Sequence, residues 1–560
     1  MAVNFGATSL VLNARSLVLD LLGRMKEVTL VLNARSLVLD LLGRMKEVKQ
    51  SEWQFFVVLL LLLAGLNAVF AFTSPGGKGR NKAIPAVRGG WPFFGQVFDM
   101  IKGSPWDTMD KWVAEYGPIY KFHLFGSAAI CVSDPVLLEV VLNHKQSIFR
   151  KDLEWTYAPF MVILGNGLVT AHGESWRKQR FLLAHHLRND ILDEIPQMGL
   201  EAVQRLCVKL EEAKQKGTVL EMAEEFRHLT LQVIAEALLS LSPEESDSTF
   251  AKMYLPIVEE GNLRTWSPER AYMPTPAWFA FRAAVKRLND YVSSLIEKRW
   301  ALRLREQEQE KKQGGAGAGA GRKQDVLDKI LSAVPAEDWG PTAVQQIRDE
   351  IKTFVLAGHE TSASMLAWSL YELSIDENKA LLEKVLAEGR AVYSPSAHCD
   401  ANGHVTSLPP RSRLSEGLAF TEMCLRESLR KYSIVPTVVR KAAADVELGE
   451  YKLKKGDTVM INVQGVHHTP SIWPEPFVYR PSRFEVQPQP YTFLPFVDGP
   501  RSCLGQFLSL LESKVVLSTL LKRYRFELTN PLDAGNKHSF MVPIIPQTGH
   551  YFKVHGRENK

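Results

Sequence analysis

The stretch "FVDGPRSCLG", Phe496–Gly505, decides how this chain is read. It is crowded with turn formers and holds a single cysteine, Cys503. It runs directly into "QFLSLLESKVVLSTLLKRY", Gln506–Tyr524, whose apolar spacing predicts a helix. A thiol at a helix start feels the positive end of the helix dipole and the free backbone N–H groups, and both favour the thiolate. Gly499 and Gly505 allow left-handed backbone and a close approach to a flat ligand. Arg501 can pair with an anionic group on that ligand. Together with Phe496, these features match the needs of a sulfur ligand to haem iron.

Composition narrows the field. Of 560 residues, 46% are hydrophobic and 23% charged, enough for a sizeable core. A net charge of +5 is small for this length, and no nucleic-acid-binding signature accompanies it. The five cysteines are odd in number and far apart, with no CxxC spacing. They suggest neither a disulfide framework nor a zinc site.

The N-terminal region stands apart. "LVLNARSLVLDLLGRMKEV" occurs at Leu10–Val28 and again at Leu30–Val48, so residues 1–50 read as a duplicated leader outside the fold. "WQFFVVLLLLLAGLNAVFAF", Trp53–Phe72, is twenty residues without a charge, the length of a membrane-spanning helix. Lys78, Arg80, Lys82 and Arg88 follow it with no acid among them, which places the C-terminal body on the cytosolic side of an anchor. A competing reading starts at Met45 and makes the same run the apolar region of a cleaved leader, with "AFTSP" resembling the cleavage motif of some algal plastid-targeting leaders. A Gly/Pro-rich hinge over residues 73–83 leads into the body, 84–560.

Within the body, helical patterns run over Pro135–Asn143, Asp190–Ala213, Ala277–Gln313 and Pro341–Leu373. Short strand-like runs are "PIYKFHL", "AAICVS", "DTVMIN" and "RFEL". "GGAGAGAG", Gly314–Gly321, reads as a flexible linker, and "YSPSAHCDANGHVTSLPPRSR" as a surface insertion. "AGHETS", Ala357–Ser362, lies inside the last of the four helical patterns. Its small pair opens room beside the helix, the Thr361 hydroxyl can bond a helical carbonyl or turn to a ligand, and Glu360 offers a carboxylate for proton transfer. "ESLR" puts Glu427 and Arg430 on one helix face. His467 and His468 in "GVHHTPSIWPEP" are read as opposite faces of a strand, which argues against a metal pair.

In order and spacing these motifs resemble the cytochrome P450 family of haem-thiolate monooxygenases, over about Ile84 to Lys553. The resemblance implies a mainly α fold with a minor β-sheet, preceded by a membrane anchor. It implies that Cys503 is the axial ligand to the iron of haem b. Trp176 and Arg180 of "WRKQR", and Arg440 of "PTVVRKA", match the residues that reach the haem propionates, and Arg501 joins them. Thr361 and Glu360 match the oxygen-activation and proton-delivery pair. Glu427 and Arg430 would lock to Arg483 of "RPSRF" and support the cysteine loop. Glu512, nine residues after Cys503, also fits. Two positions depart from the pattern: Ser482 stands where Glu is commoner, and His172 stands where Asp is usual.

The implied activity is insertion of one oxygen atom of O2 into a hydrophobic small molecule. Electrons from NADPH or ferredoxin would come through a separate redox partner, a flavin reductase or ferredoxin. A haem-thiolate isomerase or dehydratase is a weaker reading, because such relatives commonly lack the acid–Thr pair. A non-catalytic haem-binding protein is weaker for the same reason. Pocket-lining stretches are expected near Leu153–Val169, Ala251–Ala280 and Ser433–Val438, with Trp155, Tyr157, Phe160, Trp266, Trp278 and Phe279. "GNGLVTAHGESWRKQR" and "AGHETSASMLAW" look most like the plant and algal carotenoid-ring hydroxylases, with fatty-acid or sterol-like hydroxylation as the alternative. The expected location is the endoplasmic reticulum membrane with a cytosolic catalytic domain, or a plastid membrane after leader cleavage.

Overall fold

The computed structural model describes residues 83–557 apart from 92–93, 155, 186–190, 268–269, 272, 313–323, 395–397 and 401–402. The duplicated leader, the Trp53–Phe72 anchor, the Gly314–Gly321 linker and Trp155 therefore lie outside the described residues. Among the described residues no helix is long and apolar enough to cross a membrane.

The main helices, in chain order, are α1 (Pro105–Tyr116), α2 (Ala158–Leu164), α3 (Gly173–His185), α4 (Ile195–Lys216), α5 (Met222–Leu239), α6 (Ala251–Trp266), α7 (Pro276–Lys312), α8 (Pro341–Ser374), α9 (Lys379–Tyr393), α10 (Ala419–Tyr432) and α11 (Gln506–Arg523). The strands are β1 (Ile119–Leu124), β2 (Ser127–Val132), β3 (Phe149–Arg150), β4 (Val219–Glu221), β5 (Thr437–Ala442), β6 (Thr458–Asn462), β7 (Tyr524–Leu528) and β8 (Tyr551–Gly556), with a small hairpin at Val446–Leu453. Helix dominates, as the sequence implied.

The chain divides into two compact units. The described part of the smaller comprises residues 83–102 and 121–129. There Val87 N–H donates to Lys121 O at 2.9 Å, and buried Gln96 accepts from His123 N–H at 2.7 Å. The larger unit, 103–120 with 130–560, carries the helices from α1 onward.

Helix α8 is the spine of the larger unit. Pro341 starts it at the first helical position, where a missing N–H costs nothing. From Ser362 to Leu373 it is buried all round, which requires packing on every side. It packs against α2, α5, α7, α9, α10 and α11. Gly358 is where α5 comes closest: a Cβ there would stand 2.9 Å from Ile234 Cγ1. Near its N-terminal half, Asp349 and Glu350 accept from the backbone N–H groups of Asn166 (3.1 Å) and Leu168 (2.9 Å), which fixes the loop leading to α3.

Strand β5 pairs antiparallel with β6, Arg440 opposite Val459, and with β3, Phe149 opposite Ala442. A second sheet has the order β4-β8-β7, all antiparallel.

Two sequence expectations need correction. The stretch expected as a surface insertion, 393–413, is partly core. Tyr393 and Val405 are buried with Leu200, Leu414, Leu511 and Val515, and Cys399 and Leu408 pack against them. Its apolar side chains are spaced among polar ones, so one side of the segment can seat on α4 and α11. His467 and His468 do not lie on a strand. Asn462 caps a short helix, Val463–His467, by accepting from Gly465 N–H at 2.9 Å, and this ends β6. No cluster among the described residues could hold a metal ion through His, Cys, Asp or Glu alone.

The Glu427–Arg430 pair is fully buried on α10. Arg430 donates to both Glu427 oxygens (2.8 and 2.9 Å), to His467 O (2.9 Å) and to Pro476 O (2.6 Å). Glu427 Oε1 also accepts from Arg480 N–H at 2.9 Å and from Arg483 Nε at 3.2 Å. Every polar atom is matched, so removing one partner strands the other's charge in the interior. Glu427→Ala is expected to cost about 3–5 kcal/mol, read as a lower midpoint in denaturant unfolding.

On α11, Glu512 is buried with Oε1 unpartnered, and burial pushes its pKa up to about 8. The folded chain then keeps a proton that the unfolded chain has already released. Stability at this residue is therefore lost as pH rises from the ordinary carboxylate range to about 8, at on the order of 1 kcal/mol per pH unit. Thermal unfolding of Glu512→Gln between pH 5 and 8 should lack that slope.

Candidate active site

The cysteine loop is fixed by its own backbone. Cys503 N–H donates to Phe496 O at 2.9 Å, and Ser502 N–H to Gly499 O at 3.0 Å. Gly499 has φ +73°, and a Cβ there would collide with the Leu142 carbonyl oxygen, so only glycine fits. Val497 has φ +57°, a conformation that a β-branched residue adopts at a cost of about 1–3 kcal/mol. Gly505 differs from the expectation. Its φ is −83°, so the backbone does not demand glycine. A Cβ there would stand 3.9 Å from Cys503 Sγ and near no other protein atom, so glycine keeps the sulfur's flank clear.

Cys503 Sγ accepts from the N–H groups of Gly505 and Gln506, the N-cap and first residue of α11, and feels the charge of Arg180. These were expected to keep the sulfur anionic. They do not suffice: burial is the larger effect, and the thiol is pushed up from its ordinary value. Yet Cys503 is the one exposed cysteine of the five. A metal cation at the sulfur would reverse the balance and deprotonate it outright.

Near the loop lies a cluster of cations. Arg501 stacks on the Trp176 ring at 3.9 Å and donates twice to Ala171 O at 3.0 Å. Arg180 donates to Ser502 O at 2.9 Å and Ser502 Oγ at 3.2 Å, which ties α3 to the cysteine loop. Arg440 on β5 is buried and donates to Val439 O at 3.0 Å. Burial lowers the Arg440 pKa against the pull of the Tyr157 hydroxyl. Burial also lowers Arg501 to about 10, with the charges of Arg440 and Arg180 adding to it. Lys151 falls well below its usual range, through burial and then the charges of Arg440 and Arg501. Among the described residues no carboxylate relieves Lys151, Arg440 or Arg501. His172 is also held down, by burial and then by Arg501, which favours a neutral ring that adds no charge.

The two halves call for opposite things: a cation at the sulfur and carboxylates at the arginines. Haem b, an iron macrocycle with two propionates, fits this donor set. Cys503 would hold the iron, and Arg440, Arg501, Arg180 and Lys151 the propionates. Trp176, Arg180, Arg440, Phe496, Arg501, Cys503 and Gly505 are thus brought together. Lys151 was missed, because one basic residue in "FRKD" carries no local signal, and Tyr157 was expected at the substrate pocket.

On α8, Ala357 is exposed, and Thr361 is half-buried with its hydroxyl donating to Ala357 O at 2.7 Å. Glu360 turns the other way. Its Oε1 accepts from Arg227 Nη2 at 2.8 Å and Nε at 3.2 Å and lies 3.1 Å from His359 Nε2. Burial alone would raise its pKa, but the charges and hydrogen bonds of His359 and Arg227 hold it at about 2. The sequence offered Glu360 as a carboxylate for proton transfer, and the structure pairs that carboxylate with Arg227 and His359. Arg227 was missed because it lies on α5, far away in sequence. Helix α2 packs on both α6 and α8. Of the aromatics expected to line a pocket, Tyr157 instead faces Arg440, and Phe279 is 59% exposed.

Comparison with known proteins agrees with this geometry. The chain is 28% identical over 81% of its length to cytochrome P450 4c21 of Blattella germanica, covering 90% of that protein. It is 27% identical to carotene epsilon-monooxygenase of Arabidopsis thaliana, covering 87% of this chain and 88% of that one. It is likewise 27% identical to protein LUTEIN DEFICIENT 5 of Arabidopsis thaliana, over 74% and 68%. The family model described as Cytochrome P450 matches residues 85–550, and the chain therefore belongs to the cytochrome P450 family.

Proposed function

We propose that this P450 monooxygenase hydroxylates the ring of a carotenoid. The observation that carries the reading is the similarity to carotene epsilon-monooxygenase along nearly the whole of both chains. The apolar sequence of α2, which packs on α8, suits a lipid-like substrate. The Trp53–Phe72 run supports attachment to a membrane, where such a substrate resides, at the endoplasmic reticulum or a plastid membrane.

Haem b supplies the chemistry of O2 activation, with electrons from NADPH or ferredoxin delivered by a redox partner. The chain's own residues bind and orient. Arg440, Arg501 and Lys151 would anchor the carboxylates and so set the macrocycle's rotation. The N–H groups of Gly505 and Gln506 share the sulfur's charge and moderate its donation. The Thr361 hydroxyl rests on Ala357 O and can release it by rotating about χ1, offering its proton on the side where Ala357 is exposed. Glu360 serves as the carboxylate behind it.

Two measurements test this. The holoenzyme with reductase or with ferredoxin is incubated separately with carotenes and with fatty acids. Hydroxylated carotenoid is expected, and turnover confined to fatty acids would overturn the substrate reading. For Thr361→Ala, product per O2 consumed should fall by about 10-fold or more while O2 consumption continues, since one positioned proton donor contributes on the order of 10²-fold.

A further inference from the structure

His359 is wholly buried, and both of its ring nitrogens face oxygen acceptors. Nδ1 lies 2.8 Å from Val355 O, a carbonyl that can only accept. Nε2 lies 3.1 Å from Glu360 Oε1, which already accepts twice from Arg227. A neutral imidazole has one N–H and one lone pair, so either tautomer would set a lone pair against an oxygen. Flipping the ring would turn carbon toward both oxygens and lose both bonds. A proton on Oε1 would sit beside the Arg227 guanidinium, where charge disfavours it. The arrangement that satisfies every atom has protons on both nitrogens.

The surroundings are consistent. From α6, the Tyr254 ring meets the imidazole edge-to-face at 5.5 Å, and Thr230 Oγ1 on α5 donates to His359 O at 3.0 Å. Arg227 is the other cation at Glu360. It reaches outward as well, to Glu224 at 2.9 Å and Glu259 at 3.6 Å, both about half exposed. Two cations and one carboxylate are thus balanced by acids at the surface, and Arg227 links the buried pair to solvent.

We propose that His359 stands as an imidazolium and is a positioning residue that stores the proton Glu360 passes on. This rests on Glu360 being part of proton delivery. In the step, the Nε2–H bond breaks and an Oε1–H bond forms. A neutral histidine remains with Nδ1–H still on Val355 O, and the proton is restored from solvent along the Arg227 side.

The test uses the full-length haem-loaded enzyme with histidines ¹⁵N-labelled, in the diamagnetic ferrous carbon-monoxide form. A doubly protonated histidine signal is expected at pH 7.5 beside that of His468, whose ring nitrogens also face only acceptors, Asp110 Oδ2 at 2.6 Å and Lys431 O at 2.8 Å. The additional signal should vanish in His359→Gln and turn to a neutral tautomer in Glu360→Gln, so the assignment does not depend on one variant loading haem. A neutral His359 in the wild type overturns the proposal. Product per NADPH is then followed from pH 6 to 9. The wild type should lose coupling as pH rises, whereas His359→Gln, which keeps a donor to Glu360 but has no proton to give, should give a flat profile at least 3-fold lower. A wild-type slope retained in His359→Gln also overturns it. If Glu360→Gln leaves coupling unchanged while the imidazolium signal is present, proton delivery through Glu360 fails and the protonation state of His359 stands.

Discussion

Burial works against every charge at this site, and the protein alone leaves the balance unmade. Cys503 keeps its proton because two N–H groups and a distant guanidinium do not outweigh desolvation. Arg440, Arg501 and Lys151 are held together with no carboxylate among the described residues to separate them. A free metal ion would satisfy the sulfur and worsen the repulsion among the cations. A carboxylate ligand alone would relieve the cations and leave the sulfur neutral. Only a group carrying both, at a fixed separation, answers the whole site. Such a group stabilises the folded chain by its own binding free energy.

The same logic explains why the scaffold behind the loop is so fully hydrogen-bonded. Val497 sits in an unfavourable conformation, and strain of that kind persists only where its surroundings over-determine it. The surroundings begin at the buried Glu427–Arg430 pair. Arg430 holds the His467 carbonyl, and the His467 ring bridges Ser433 Oγ at 2.8 Å and Leu494 N–H at 2.9 Å. Leu494 O then accepts from Val497 N–H at 3.0 Å. Three links join a charge pair on α10 to the strained turn. Burial pushes the His467 pKa well down, which keeps its Nε2 a lone-pair acceptor for Leu494. His467 and His359 are both buried histidines in contact with the site's framework, and their hydrogen-bond partners dictate opposite protonation: a donor N–H faces one, a carboxylate faces the other.

What was legible in the sequence is what a few neighbouring residues determine. The cysteine loop and the Glu427–Arg430 spacing were readable because turn chemistry and helix periodicity act over ten residues or fewer, whereas Arg483 came only from the resemblance of "RPSRF" to a loop of the family. The long helix α8 was readable because its apolar run begins at a proline and has no breaker. The failures have one cause. Whether a carboxylate is free or paired depends on what another helix brings to it, so Glu360 could not be known to face Arg227, 133 residues earlier. Whether a loop is surface or core depends on a partner's apolar face, so Val405 was misjudged. The histidine pair was misassigned because Asn462 ends its strand with a cap, and a capping asparagine after "TVMI" looks like any strand residue.

Glu360 and Thr361 are neighbours in sequence, and a helix turns about 100° between neighbours. That angle divides α8 by function. Glu360 points to α5 with its compensating cations, while the hydroxyl of Thr361 folds back on Ala357 where the helix is open. Had the carboxylate faced the same way as the hydroxyl, an ionised group would line the substrate side, and binding a long apolar molecule there would desolvate it. Such desolvation costs several kcal/mol per ion even after relaxation. Turning the charge inward and pairing it avoids this while leaving it one peptide unit from the hydroxyl. On the proposed reading, an apolar substrate and an acid-dependent reaction are thereby compatible on one helix: Gly358 lets α5 approach with its cations, and Ala357 leaves the other face open.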